Sequence, residues 1–257
     1  MLRETEFEEI YDKLQNYKYT SLQYTDYEDC QDAIILCNND ELILLQDKTK
    51  EPAMIYFAVT DFTLLIDKLN GISGSLRLHF VPREFAADLV KLGFIEWAEF
   101  ADYFNFNLTD TASICKNTEN PEFLTQDECK EASLVSKKCA LQSRGFEGET
   151  EEWFADWICE NKVLIYRENN SIAGFCCVSI YNEGTTLWVR EVAVDPAYQG
   201  TGIGKKLMEQ AIIYGVTNGA VKGFLMADVL NKNAIGLYEK YGFTGKDAAG
   251  ELQMIRR

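Results

Sequence analysis

Residues 190 to 207, R-E-V-A-V-D-P-A-Y-Q-G-T-G-I-G-K-K-L, constrain the fold of this chain more than any other segment. An apolar strand runs into an Asp-Pro turn, then a loop in which Gly200, Gly202 and Gly204 alternate, then an amphipathic helix. A helix opened by such a loop keeps its first amides unpaired and lets a ligand approach the backbone, which suits an anionic group. Two familiar phosphate loops do not fit. A Walker loop ending at Gly204 and Lys205 requires glycine where Gln199 stands, and Ser or Thr where Lys206 stands. The dinucleotide pattern requires a third glycine at Lys205 and follows the first strand of its unit, not one this late in the chain.

Around this segment, apolar periodicity predicts helices at about 127–142 and 149–160, strands at 163–168, 172–181 and 186–194, a helix at 202–217, a strand at 222–229 and a helix at 232–241. The first half reads similarly, with strands near 33–37, 41–46 and 53–59, a helix at 60–70, a strand at 76–81, a helix at 83–92 and a strand at 94–108. Strands alternating with helices at this spacing predict an α/β (α+β) architecture with parallel members. A polar, turn-forming stretch at 108–122 separates two apolar blocks, and the boundary is placed at 112, giving domains 1–112 and 113–257. The acidic excess is uneven: residues 1–112 hold 9 basic and 21 acidic side chains, residues 113–257 hold 16 and 20. The second half is the better host for an anionic ligand. A repeat links the halves, because H-F-V-P-R-E-F-A-A-D-L-V-K-L-G-F (79–94) aligns without gaps on D-V-L-N-K-N-A-I-G-L-Y-E-K-Y-G-F (228–243). Each copy reads as strand end, turn, helix and Gly-Phe, with Gly93 and Gly242 just past a helix C-terminus.

Q-G-T-G-I-G (199–204) resembles the acyl-coenzyme A pyrophosphate loop of the GCN5-related N-acetyltransferases, and N-K-N-A-I-G-L-Y-E-K-Y-G-F (231–243) is similar to that family's second signature, with its tyrosine at Tyr238. The resemblance covers about residues 113–257 and implies two tandem domains of that fold, each a mixed twisted sheet flanked by helices. It also implies acetyl-coenzyme A as cosubstrate, in a V-shaped gap between the strand ending at Val194 and the strand at 222–229. Main-chain groups of Val192, Ala193 and Val194 would pair with pantetheine. Gln199 and the amides of Gly200, Thr201, Gly202, Ile203, Gly204 and Lys205 would hold the pyrophosphate, and Asn233 the pantetheine arm. Tyr238 would protonate the departing thiolate, and Glu191, at the strand end, is the candidate base. The first half has no glycine loop between its strand at 53–59 and the helix that follows, and Leu89 stands in the place of Tyr238. It therefore reads as a degenerate copy, with one cofactor per chain. The reaction implied is acetyl transfer to the amine of a small molecule by direct attack in a ternary complex; the alternative is a non-catalytic acyl-coenzyme A-binding regulatory or scaffold module.

A net charge of −16 argues against nucleic acid and anionic membranes as partners. The acidic amino terminus and the lack of a long apolar run predict a cytoplasmic protein. The eight cysteines include no C-x-x-C pair, and His79 is the only histidine, so no metal site is expected. Cys176 and Cys177 are adjacent in a strand and should point to opposite faces.

Overall fold

The computed structural model describes residues 1–115, 121–140, 142, 144 and 146–257. In chain order the elements are α1 (Glu4–Tyr11), β1 (Tyr19–Thr20), α2 (Tyr27–Cys30), β2 (Ile34–Asn38), β3 (Leu42–Asp47), β4 (Ala53–Val59), α3 (Phe62–Asn70), β5 (Leu76–Leu78), α4 (Ala86–Lys91) and β6 (Ile95–Asn105). They continue as α5 (Leu108–Ile114), β7 (Glu122–Phe123), α6 (Cys129–Cys139), α7 (Glu151–Glu160), β8 (Lys162–Glu168), β9 (Ser171–Tyr181), β10 (Thr186–Val194), α8 (Ile203–Thr217), β11 (Lys222–Asp228), α9 (Lys232–Lys240) and β12 (Thr244–Arg256). The fold is α/β with mixed sheets, as the alternation of elements predicts. Among the described residues no helix is long and apolar enough to cross a membrane.

The chain forms two compact units, Met1–Glu99 with Gly250–Arg257, and Phe100–Ala249. A single cut at 112 does not describe this division, for a topological reason. In the first unit the strand order is β2-β3-β4-β5-β12, with β4 and β5 parallel and the other pairs antiparallel. In the second it is β7-β8-β9-β10-β11-β6, with β10 and β11 parallel and the other pairs antiparallel. The strand beyond each parallel pair comes from the other half of the sequence. Phe100–Asn105 of β6 pairs with β11, and Met254–Arg256 of β12 pairs with β5. The expected linker at 108–122 likewise contains α5, whose Leu108 is fully buried, while residues 116–120 lie outside the described set.

The aligned repeat is matched bond for bond at its helix ends. Gly93 N donates to Val90 O and Phe94 N to Leu89 O, as Gly242 N does to Glu239 O and Phe243 N to Tyr238 O. Both glycines have positive φ, +85° and +74°, and both phenylalanines are buried. The units differ at the edge of their central strand. In the first, β1 pairs antiparallel with β4 at Ala58 and Val59, beyond the short stretch (Ala53–Ile55) where β5 is its neighbour. Ser21 N donates to Phe57 O and its hydroxyl accepts from Phe57 N, which closes that edge. In the second unit the equivalent edge of β10 carries no strand among the described residues. The core of the second unit lies on both sheet faces. One cluster packs Leu187, Val189 and Cys176 with Leu207, Met208 and Ala211 of α8; the other packs Phe175, Cys177 and Ala193 with Ala132 and Val135 of α6. Cys176 and Cys177 thus occupy opposite faces.

Candidate active site

Strands β10 and β11 pair only over Thr186–Val189 against Lys222–Leu225. Past that point a cleft of about 940 Å³ opens between them, lined by Arg190, Glu191, Val192, Ala193 and Val194 on one strand and Met226, Ala227 and Asp228 on the other. All the catalytic and cofactor-binding candidates from sequence line this cleft except Thr201, whose hydroxyl instead donates to Tyr198 O at 2.6 Å.

A bulge determines what β10 presents there. The register with β9 steps from Val189–Val178 to Glu191–Cys177, leaving Arg190 as the inserted residue. Before it, Leu187 and Val189 pack in the α8 cluster; after it, Val192 and Val194 pack against that cluster while Ala193 packs on the α6 side. In an unbulged strand the two-residue period would put Glu191 on the same face as Val189. With it, Glu191 turns toward α6 and accepts a hydrogen bond from the Ser136 hydroxyl at 3.2 Å.

The glycine loop ends in the start of α8. Gly200 and Gly202 have φ of +78° and +92°, and Gly202 is the N-cap in the left-handed region, where a side chain would strain the backbone. That N-terminus has no side-chain cap, and its first return bond is Lys206 N to Gly202 O. The amides of Ile203, Gly204 and Lys205 therefore have no partner within the helix. Lys205 lines the cleft, whereas Lys206 turns to the Tyr166 hydroxyl. Val194 O already accepts from Gln199 Nε2 at 3.0 Å and from the Cys139 thiol at 3.3 Å, so pairing at that carbonyl is shared with side chains. Asn231 caps α9 by accepting from Ala234 N at 3.2 Å, and this helix carries Asn233 and Tyr238 to the cleft.

Two titrating groups meet here. Burial pushes the Glu191 carboxyl up to about 7, aided by the neighbouring Glu149 charge and opposed by Arg190 and the Ser136 hydroxyl. Burial also raises the Tyr238 phenol well above its ordinary value, with the nearby Glu191 carboxylate adding to it, so it is protonated at neutral pH. Sequence reading did not find the groups that support them. Arg190 donates to Glu149 at 2.9 Å and lies 4.2 Å from the centroid of the Trp153 ring. Asp228 accepts both Arg144 Nε, at 3.0 Å, and Arg144 Nη2, at 2.5 Å. These partners lie 41 and 84 positions apart, and a sequence carries no local signal for such pairs.

Residues 129–243 match the model of the Acetyltransferase (GNAT) family. An uncharacterized N-acetyltransferase of Methanocaldococcus jannaschii is 30% identical over 114 residues, 41% of this chain and 50% of that protein. The chain therefore spans half the length of this relative. Among solved structures, an acetyltransferase from the GNAT family of Colwellia psychrerythraea covers 99% of this chain and 97% of its own, with a TM-score of 0.57 at 12% identity. A tandem GNAT protein from the clavulanic acid biosynthesis pathway covers 83% and 77%, with a TM-score of 0.57 at 11% identity. At these identities the structural likeness concerns the fold. The match runs from Cys129 to Phe243, and both the glycine loop and α9 lie inside it.

Proposed function

We propose that the second unit transfers an acetyl group from acetyl-coenzyme A to an amine by direct attack in a ternary complex. The observation that carries this reading is the convergence of Glu191, Tyr238 and the uncapped start of α8 on one cleft. The residues present fit the cosubstrate: an open strand edge offers main-chain groups of Val192 and Ala193, and unpaired amides from Gly200 to Lys205 offer donors to a pyrophosphate. Gln199 and Asn233 flank these groups. Acetyl-coenzyme A supplies the activated thioester. Glu191, with its carboxyl raised toward neutrality, takes a proton from the incoming ammonium. Tyr238 holds a proton for the departing sulfur, whose ordinary pKa of about 8.5 lies far below that of the buried phenol.

The chain is read as a tandem protein whose first unit is a degenerate copy. The shared strand order and the matched helix ends support the duplication. Strand β1 on the edge of β4, and Asp61 capping α3 directly after that strand, support the loss of a cofactor site. The acceptor is read as a small cationic amine. Incubation with acetyl-coenzyme A and a panel of amines, followed by mass spectrometry of the small molecules, tests the function: an acetylated amine supports it. Tight binding of coenzyme A with no acetylated product from any amine points instead to a non-catalytic acyl-coenzyme A-binding module.

A further inference from the structure

Glu191 is held by a device that no motif announces. Ser133 and Ser136 lie one turn apart on α6 and grip both main-chain groups of Glu149: the Ser133 hydroxyl donates to Glu149 O at 2.8 Å, and Glu149 N donates to Ser136 Oγ at 2.9 Å. The approach is close because residue 148 is glycine at φ +80°; a Cβ there would lie 2.7 Å from the Lys137 Cα. With its oxygen occupied by that amide, the fully buried Ser136 hydroxyl has its proton left for Glu191 Oε1. Glu191 Oε2 is buried with no hydrogen-bond partner among the described residues, and Arg190 Nη1 stands 3.8 Å away, its stronger contact being with Glu149.

We infer that Ser136 is the positioning residue of the proton acceptor: oriented by the Glu149 amide, it spends its single proton on Glu191 Oε1 and so leaves Oε2 as the oxygen whose lone pairs are unclaimed. The role assigned to Glu191 rests on the acetyl-transfer reading; the hydrogen-bond relay does not. The charged and titratable groups facing Glu191 are Glu149 before α7, Arg190 on its own strand, Cys176 and Cys177 on β9, Cys139 on α6 and Tyr238 on α9. The thiols and the phenol have raised pKa values and stay neutral near pH 7, leaving Glu149 and Arg190 as the charges that act on Glu191.

The test follows the Glu191 carboxyl by carbon NMR in the full chain labelled with ¹³C-glutamate, assigned with Glu191→Gln, beside the pH profile of kcat/KM. Ser136→Ala removes a donor to the charged form, so the titration midpoint should rise by about one pH unit. Ser136→Cys, of similar size and a weak donor, should move it the same way and serves if the alanine variant does not fold. Glu149→Gln removes a like charge while leaving both main-chain bonds to α6, so the midpoint should fall. A loosened loop alone would not produce shifts of opposite sign. The acid limb of kcat/KM should follow the same shifts. A midpoint unmoved in both Ser136 variants overturns the inference. If the midpoints shift as expected but no amine is acetylated, the relay stands and the acetyl-transfer reading fails.

Discussion

At the scale of single residues, Glu191 gains its setting from one inserted neighbour. The bulge at Arg190 moves the carboxyl from the α8 face to the α6 face, where burial holds it near neutrality. In the proposed mechanism its charged form accepts the proton, so kcat/KM should be low below pH 7 and rise as pH passes through about 7. Glu191→Gln should abolish this limb, and an unchanged acid limb in that variant would assign the proton acceptor elsewhere. Tyr238→Phe should lower kcat by about 10²- to 10⁴-fold with little change in coenzyme A affinity, because the hydroxyl acts only as the thiolate develops. Single-turnover kinetics and calorimetry on the same variant separate these effects. That Glu191 and Tyr238 line one cleft was legible in sequence, Glu191 from its place at a strand end and Tyr238 from the resemblance of 231–243 to a family signature. Ser136 and Glu149 were not, since their value comes from a bulge and a loop docked on α6, neither of which leaves a local pattern.

Elements carry the contrast between the two units. In the second, the edge of β10 stays open and α8 begins uncapped at Gly202; in the first, β1 covers the edge of β4 and Asp61 caps α3. Calorimetry should therefore find one acetyl-coenzyme A site per chain, and two equivalent sites would refute the assignment. Gly202→Glu should weaken binding by placing a side chain and a negative charge where the cradle needs bare amides. The left-handed conformation should also cost the fold about 1–2 kcal/mol, visible as a lower Tm. Parent-like affinity in this variant would remove the loop from the binding site. Strands β3, β4, β8, β9 and β10 and helix α8 were legible because their apolar runs are long and periodic. The final strand β12 was not: K-D-A-A-G breaks its alternation, and its later residues pair with β5, a partner more than 170 positions away, and pack in the first unit's core. Helix α1 and strand β1 escaped for a similar reason, because α1 is acidic along much of its length and β1 spans two residues.

At the scale of the whole molecule, the exchange of terminal strands explains why no single boundary could be read from composition. The first unit needs the end of β12 to finish its sheet, so a cut at any one position fails to give two complete units. The charge distribution also belongs at this scale, with 21 of the 41 acidic side chains in the first 112 residues. Such a field concentrates cations, so kcat/KM for the best cationic amine should fall between low and physiological ionic strength, where the Debye length is about 8 Å. A neutral or anionic acceptor that turns over best, with no salt dependence, would discard electrostatic steering and leave acetyl transfer intact. The central claim, that the cleft beside β10 transfers acetyl to an amine, is tested most directly by amine-dependent release of free thiol from acetyl-coenzyme A in the parent, Gly202→Glu and Tyr238→Phe proteins together. The expected result is turnover by the parent, a loss through cofactor binding in the first variant and a loss in kcat in the second; release of thiol at parental rates by both variants would contradict it.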